Sequence, residues 1–136
     1  MIEITDKAID IQKIIEAAAS GQAGAINTFI GTVRDNTKGM NVLKLEYEAY
    51  EPMAISEIKK IIEVAKERWN LTGYGVSHRV GTLLPGETAV VVAISTPHRK
   101  ASFEACQFII DTLKETVPIW KREFFENGDQ WVSAHP

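Results

Sequence analysis

The stretch from Ala89 to Ile94, Ala-Val-Val-Val-Ala-Ile, is apolar at six consecutive positions inside the segment Thr88 to Thr96. Rich in β-branched residues and closed by Thr96-Pro97, it reads as a strand buried on both faces. It is far too short to cross a bilayer. The neighbouring segments alternate strand and helix without a linker, repeat or low-complexity tract. Met1 to Thr5 forms a short strand, and Asp6 is the expected N-cap of a helix carrying Ile9, Ile14 and Ile15 that ends before Ser20-Gly21. Ala25 to Val33 is β-rich, and Asp35-Asn36-Thr37-Lys38-Gly39 has the composition of a loop or hairpin. Val42 to Tyr50 alternates, with Leu43, Leu45 and Tyr47 facing one way and Lys44, Glu46 and Glu48 the other.

Pro52 opens a helix running to about Trp69, with Ile55, Ile58, Ile62 and Ala65 on one face. A Pro85-Gly86 turn separates the strand Tyr74 to Val80 from the strand Thr88 to Thr96. Thr96-Pro97 then starts a long helix that Pro118 ends, because a residue preceding proline is pushed out of the α region. Ile119 to Phe125 and Gln130 to Ala134, joined through Asn127-Gly128-Asp129, close the chain as a hairpin. Strands outnumber helices and the hairpin connections are short. The expectation is a single α+β domain over residues 1–136 with a mostly antiparallel sheet and packed helices.

The chain has 136 residues, 45% hydrophobic and 24% charged, a normal balance for a folded domain with a real core. Its formal charge is −3 (15 basic against 18 acidic side chains), which argues against general nucleic-acid binding. The lone cysteine, Cys106, excludes an intrachain disulfide and fits a reducing compartment. No secretory signal is visible in MIEITDKAID, so the expected setting is soluble and cytoplasmic, with no membrane association.

Against that acidic background the cations of HRKASFEACQFIIDTLKETVPIWKRE, His98 to Glu123, are conspicuous. His98 and Arg99 stand at the start of the long helix, Lys114 near its end, and Lys121-Arg122-Glu123 just past Pro118. Cations gathered around a helix suggest a site for a phosphate or carboxylate, and its lysines can stabilise developing negative charge. Phe103, Cys106, Ile110, Leu113 and Val117 form an apolar stripe that Arg99 and Lys114 bracket. The alternative is that both side chains merely lay their stems along its edges.

Fifteen residues of continuous helix span about 22 Å, so Arg99 and Lys114 of one chain cannot grip one small molecule. If both serve one site, they come from two subunits, and a homodimer with a composite pocket follows. Lys121 belongs on an extended segment near the helix end that carries Lys114, so the two lysines can flank one pocket. Arg122 and Glu123 can equally pair at the surface, to little energetic effect. Arg34 ends a strand before a polar loop, a place that suits either a ligand-facing residue or an ordinary surface arginine.

His78, His98 and His135 lack metal-ligand spacing, and no metal site is expected. Cys106 lies in the apolar stripe and reads as core, not nucleophile. Nothing resembles a P-loop, GxGxxG or GxSxG device.

Three blocks, GTVRDNTKGMNVLKLEYEAYEPMA (Gly31 to Ala54), HRVGTLLPGE (His78 to Glu87) and His98 to Glu123, resemble the large subunit of molybdopterin synthase, the MoaE family. They occur in family order and the likeness covers nearly the whole chain. The resemblance implies an α/β hammerhead-type fold and a central homodimer. Each large subunit would bind a small ubiquitin-like sulfur-carrier subunit, giving a heterotetramer. The carrier's Gly-Gly C-terminus would bring a thiocarboxylate into the pocket, and two sulfurs would pass in turn to cyclic pyranopterin monophosphate. The product would be the dithiolene of molybdopterin, with no cofactor required by the enzyme itself.

Position by position, the resemblance makes Lys114 and Lys121 the active-site lysines. Arg34, His98 and Arg99 become substrate-binding residues, adjoined by Arg122 and Glu123. A further arginine that the family can contribute beyond the tryptophan matched by Trp131 has no counterpart here, and His135 is the nearest candidate. Two other readings stay open: a non-catalytic carrier of a pterin or nucleotide, in which the lysines are dispensable, and a protein-interaction domain docking through Trp120, Phe124 and Phe125.

Overall fold

A computed structural model describes residues 1–136. Its elements are β1 (Ile2–Thr5), α1 (Ile11–Ala18), β2 (Ala25–Thr32), β3 (Asn36–Thr37), β4 (Met40–Ala49), α2 (Glu51–Trp69), β5 (Gly73–Arg79), β6 (Gly81–Leu83), β7 (Thr88–Thr96), α3 (Arg99–Thr116), β8 (Ile119–Phe125) and β9 (Gln130–Ser133). The fold is α+β with three helices and two sheets. The first sheet has the order β1-β5-β7-β2; the second runs β3-β4-β8-β9, with β6 also pairing β4. Every pairing is antiparallel except β1 with β5.

The apolar run in β7 explains the layering. Val91 and Ala93 pack with Ile14 and Ala18 of α1 on one face. Val90, Val92 and Ile94 turn the other way, into the core that α2 and α3 share with both sheets. All of Ala89 to Ile94 is buried, so this strand is the spine of the protein. Closing water out from both faces at once is what a continuous apolar strand requires.

Four expectations are corrected. The α1 N-cap is Asp10, not Asp6: its carboxylate accepts from the Lys13 backbone N–H at 3.2 Å, and Asp6 lies in the turn after β1. In β4 the inward residues are Val42, Leu45 and Tyr47, while Leu43 is 55% exposed. A bulge between Val42 and Lys44 adds one residue to β4 against β8 and resets the alternation. In α2 the buried face is Ala54, Ile58, Ile61, Ile62 and Ala65, with Ile55 only half-buried. On α3, Phe103 is 64% exposed and the buried stripe runs through Ser102, Ala105, Cys106, Ile109, Ile110 and Leu113.

The Pro85-Gly86 segment holds an additional short strand before it. β6 leaves β5 through Gly81, whose φ of +93° only glycine adopts without strain, and lands on β4 with Gly81 opposite Tyr47. The β3–β4 connection is a two-residue turn, Lys38-Gly39, with both φ values positive, as a tight hairpin demands. No helix is long and apolar enough to cross a membrane.

Candidate functional site around Tyr47, His78 and Lys114

α3 is continuous from Arg99 to Thr116, with Lys114 in its last turn. The Val117 N–H closes it onto the Leu113 carbonyl at 3.2 Å, and Pro118 turns the chain directly into β8. Because β8 is extended, Ile119, Lys121, Glu123 and Phe125 share one face and Trp120, Arg122 and Phe124 the other. Burial follows that alternation: Ile119, Glu123 and Phe125 are buried, whereas Trp120 and Arg122 are exposed. Arg122 and Glu123 therefore leave the strand in opposite directions and do not form the surface pair that adjacency allows.

The β4–β8 ladder sets Lys121 directly opposite Tyr47. Tyr47 in turn lines a cavity of about 50 Å³ with His78 and Lys114, bounded also by Gly31, Val90 and Leu113. The two lysines, one at a helix end and one on the following strand, thus converge on a single tyrosine. Glu123 joins them on the inner face, 8% exposed, and accepts a hydrogen bond from Thr37 Oγ1 at 2.9 Å.

Burial governs the electrostatics here. His78 is 1% exposed, and loss of water pushes its pKa down to about 4, against the raising effect of its hydrogen bond to the Arg79 carbonyl; the nearby Lys114 charge lowers it further. His78 is accordingly neutral at physiological pH. Burial pushes Tyr47 up to about 12, with the Glu123 carboxylate adding to the effect, so its phenol stays protonated. The site combines ammonium groups with neutral, polarisable rings, an arrangement suited to an anionic ligand or intermediate.

Arg34 lies apart, in a concavity with Thr32, Asp35, Asn36, Pro85 and Gly86. Its placement is fixed by Val33, whose N–H donates to the Glu87 carbonyl at 2.9 Å and whose carbonyl accepts from Gly86 N–H at 2.8 Å. That turn is itself braced by Glu87, which accepts from Leu84 N–H at 2.7 Å and from Arg79 at 3.0 Å; these bonds, the backbone one first, hold its carboxyl below the usual range. His98 and Arg99 are exposed at the N-terminus of α3, at the opposite end from Lys114. Arg122 faces a separate surface concavity with Glu46, Glu48, Trp120 and Val132, and Lys121 lines that concavity too.

Within one chain, then, Tyr47 is the common neighbour of Lys114 across the cavity, of Lys121 across the strand ladder and of the Glu123 carboxylate. Arg122 shares a concavity with Lys121, while Arg34 and His98-Arg99 lie elsewhere. Cys106 is buried, bonded through Sγ to the Val92 carbonyl at 3.9 Å, and burial pushes its thiol up to about 11. It is a core residue, as its stripe position suggests. Tyr47 and His78 are the site residues that sequence reasoning passed over. Tyr47 reads as an inward strand position alone, and His78 is weighed only as a metal ligand and set aside for want of ligand spacing.

The family model described as MoaE protein matches residues 4–116. The chain is 48% identical over 130 residues to the molybdopterin synthase catalytic subunit of Bacillus subtilis, covering 96% of this chain and 83% of that one. Among solved structures, the molybdopterin synthase from Staphylococcus aureus superposes with a TM-score of 0.92 at 38% identity, covering 98% of this chain and 96% of that one. A protein–protein complex of subunits 1 and 2 of molybdopterin-converting factor from Helicobacter pylori shares the fold, with a TM-score of 0.79 at 24% identity over 99% of this chain and 93% of that one.

Proposed function

The chain belongs to the MoaE protein family, and from that premise we propose that it is the catalytic subunit of a molybdopterin synthase, acting in molybdenum-cofactor biosynthesis as one domain over residues 1–136. It takes sulfur from the thiocarboxylated Gly-Gly C-terminus of a small ubiquitin-like carrier subunit. Two such transfers to cyclic pyranopterin monophosphate form the molybdopterin dithiolene. The observation that carries this reading is the convergence of Lys114 and Lys121 on Tyr47.

The thiocarboxylate sulfur bonds a substrate carbon to give a thioester. Water then adds at the acyl carbon through a tetrahedral oxyanion, whose collapse breaks the acyl C–S bond, leaving sulfur on the substrate and the carrier as a plain carboxylate. Lys114 serves the reacting carbon and the carrier tail; Lys121 stabilises charge or moves a proton beside it. Arg34, His98 and Arg99 bind the phosphate or pterin, the arginines through their planar forks, with Arg122 and Glu123 adjoining. Since Arg99 begins α3 and Lys114 lies in its last turn, the working unit is a homodimer in which each pocket draws on both subunits. With one carrier per large subunit the assembly is a heterotetramer.

The test is sulfur transfer with purified protein, thiocarboxylated carrier and cyclic pyranopterin monophosphate. Wild type forms product, and folded Lys114→Ala and Lys121→Ala variants lose most of it. No product from wild type despite carrier binding, or unimpaired turnover in both variants, overturns the reading.

A further inference from the structure

His78 is the one buried histidine, and the sulfur-transfer reading gives it no task. It sits on β5, between Ile4 of β1 and Val90 of β7, so its backbone is locked on both sides. Its ring is fixed twice over. Nδ1 lies 2.8 Å from the Arg79 carbonyl, which can only accept, so Nδ1 carries the proton. The Tyr47 ring stands nearly perpendicular to it, 5.0 Å between centroids. With the proton on Nδ1, Nε2 is left as a bare lone pair, and the cavity this ring lines is the one Lys114 lines.

A hydrogen-bond acceptor held rigidly beside a lysine defines where that ammonium points. We propose that His78 is a positioning residue for Lys114: the Nε2 lone pair receives one ammonium proton and so aims the remaining ones at the reacting acyl centre. The groups that face His78 are compatible with this. Tyr47 is a neutral phenol from β4, Lys114 is the cation from α3, and Lys121 and Glu123 lie beyond Tyr47 on β8. An imidazolium here would set two cations in one small cavity, whereas a neutral ring leaves Lys114 as the one cation lining it. The inference deepens the sulfur-transfer reading and rests on it for the identity of the reacting centre.

The test pairs two substitutions with a measurement on the unsubstituted ring. His78→Asn keeps a donor for the Arg79 carbonyl and deletes the acceptor at the Nε2 position. His78→Gln can place its amide oxygen close to that position. Single-turnover sulfur transfer with saturating thiocarboxylated carrier is expected to drop about ten- to hundredfold in His78→Asn, the range a hydrogen bond to a charged group spans. His78→Gln recovers most of the rate, and carrier affinity is unchanged in both. Nitrogen-15 NMR of the wild type shows His78 protonated at Nδ1 and bare at Nε2 from pH 5.5 to 8, with the Nε2 resonance moving in Lys114→Ala.

Equal losses in the Asn and Gln variants, or an Nε2 signal indifferent to Lys114→Ala, overturn the proposal. Should His78→Asn fail to fold, the Gln variant and the NMR comparison decide. No product from wild type would instead sink the sulfur-transfer reading, while the NMR arm still reports on the His78–Lys114 bond.

Discussion

The rings of Tyr47 and His78 meet in a T-shaped contact, with 5.0 Å between centroids and 74° between planes. The pair closes the inner wall of the lysine site with two rings that are both kept neutral by burial. One consequence is a dependence of stability on pH. Unfolded, His78 protonates near its ordinary 6.5; folded, it resists until about 4. The native state is therefore favoured in full above pH 6.5, and that advantage drains away as pH falls toward 4. The whole shift corresponds to about 3 kcal/mol, of which roughly 2 is gone by pH 5. Urea unfolding at pH 7 and pH 5 should show His78→Gln losing less stability than wild type by about that amount. Parallel losses would mean that His78 does not resist protonation in the fold.

Glu123 is tied down by a residue far away in sequence. Thr37, on the short strand β3, donates to its carboxylate at 2.9 Å. With Glu123 only 8% exposed, deleting the donor strands a buried acceptor, which costs about 1–3 kcal/mol. Thr37→Val should show that loss in chemical denaturation, while Thr37→Ser, which retains the hydroxyl, stays close to wild type. If Thr37→Val is as stable as wild type while Thr37→Ser loses stability, Thr37 matters for its methyl group and the hydrogen bond contributes little.

Where a signal was local, the sequence displayed it. The apolar run of β7 announced a strand covered on both faces, and Pro118 marked the end of α3 because of what proline forbids in the residue before it. Leu43 misled because a bulge is set by the partner strand β8, which a period-two count on β4 alone does not see. β6 was invisible for a similar reason: three residues carry no pattern, and their strand character comes from β4 across the sheet. The α1 cap fell on the wrong aspartate because Asp6 and Asp10 are chemically equal as caps, and only the packing of Ile14 and Ala18 against β7 chooses. The lysines were legible as cations near one helix end. Their convergence on Tyr47 was not, since it depends on the register of β4 with β8 and on β5 bringing His78 alongside.

The packing of α1 on the first sheet rests on missing side chains. A Cβ on Gly75 would stand 2.6 Å from the Ile14 carbonyl oxygen and 3.0 Å from its Cγ2. Neither the helix backbone nor the central strand can give way cheaply, so Gly75→Ala should destabilise by about 1–3 kcal/mol. Gly21, in the turn after α1, has nothing within 4 Å of the corresponding position. Gly21→Ala should be neutral or stabilise by up to about 1 kcal/mol, through the unfolded chain. Thermal melts of the two variants distinguish a tight α1–β5 contact from one with slack; similar melting temperatures would argue for slack.

Arg99 and Lys114 stand at opposite ends of α3, fifteen residues of unbroken helix apart, or about 22 Å. If the proposed pocket draws Lys114 from one subunit and Arg99 from the other, two inactive variants should complement each other. Arg99→Ala and Lys114→Ala homodimers each carry one lesion in every pocket. A mixed dimer concentrates both lesions in one pocket and leaves the other intact. Random reassociation of equal amounts should then restore roughly a quarter of wild-type sulfur transfer, since half the dimers are mixed and half their pockets are whole. The measurement is product formed after subunit exchange, against unmixed controls. Activity no greater than the mean of those controls, with exchange verified by mass, would place Arg99 and Lys114 in separate functions and dissolve the composite pocket.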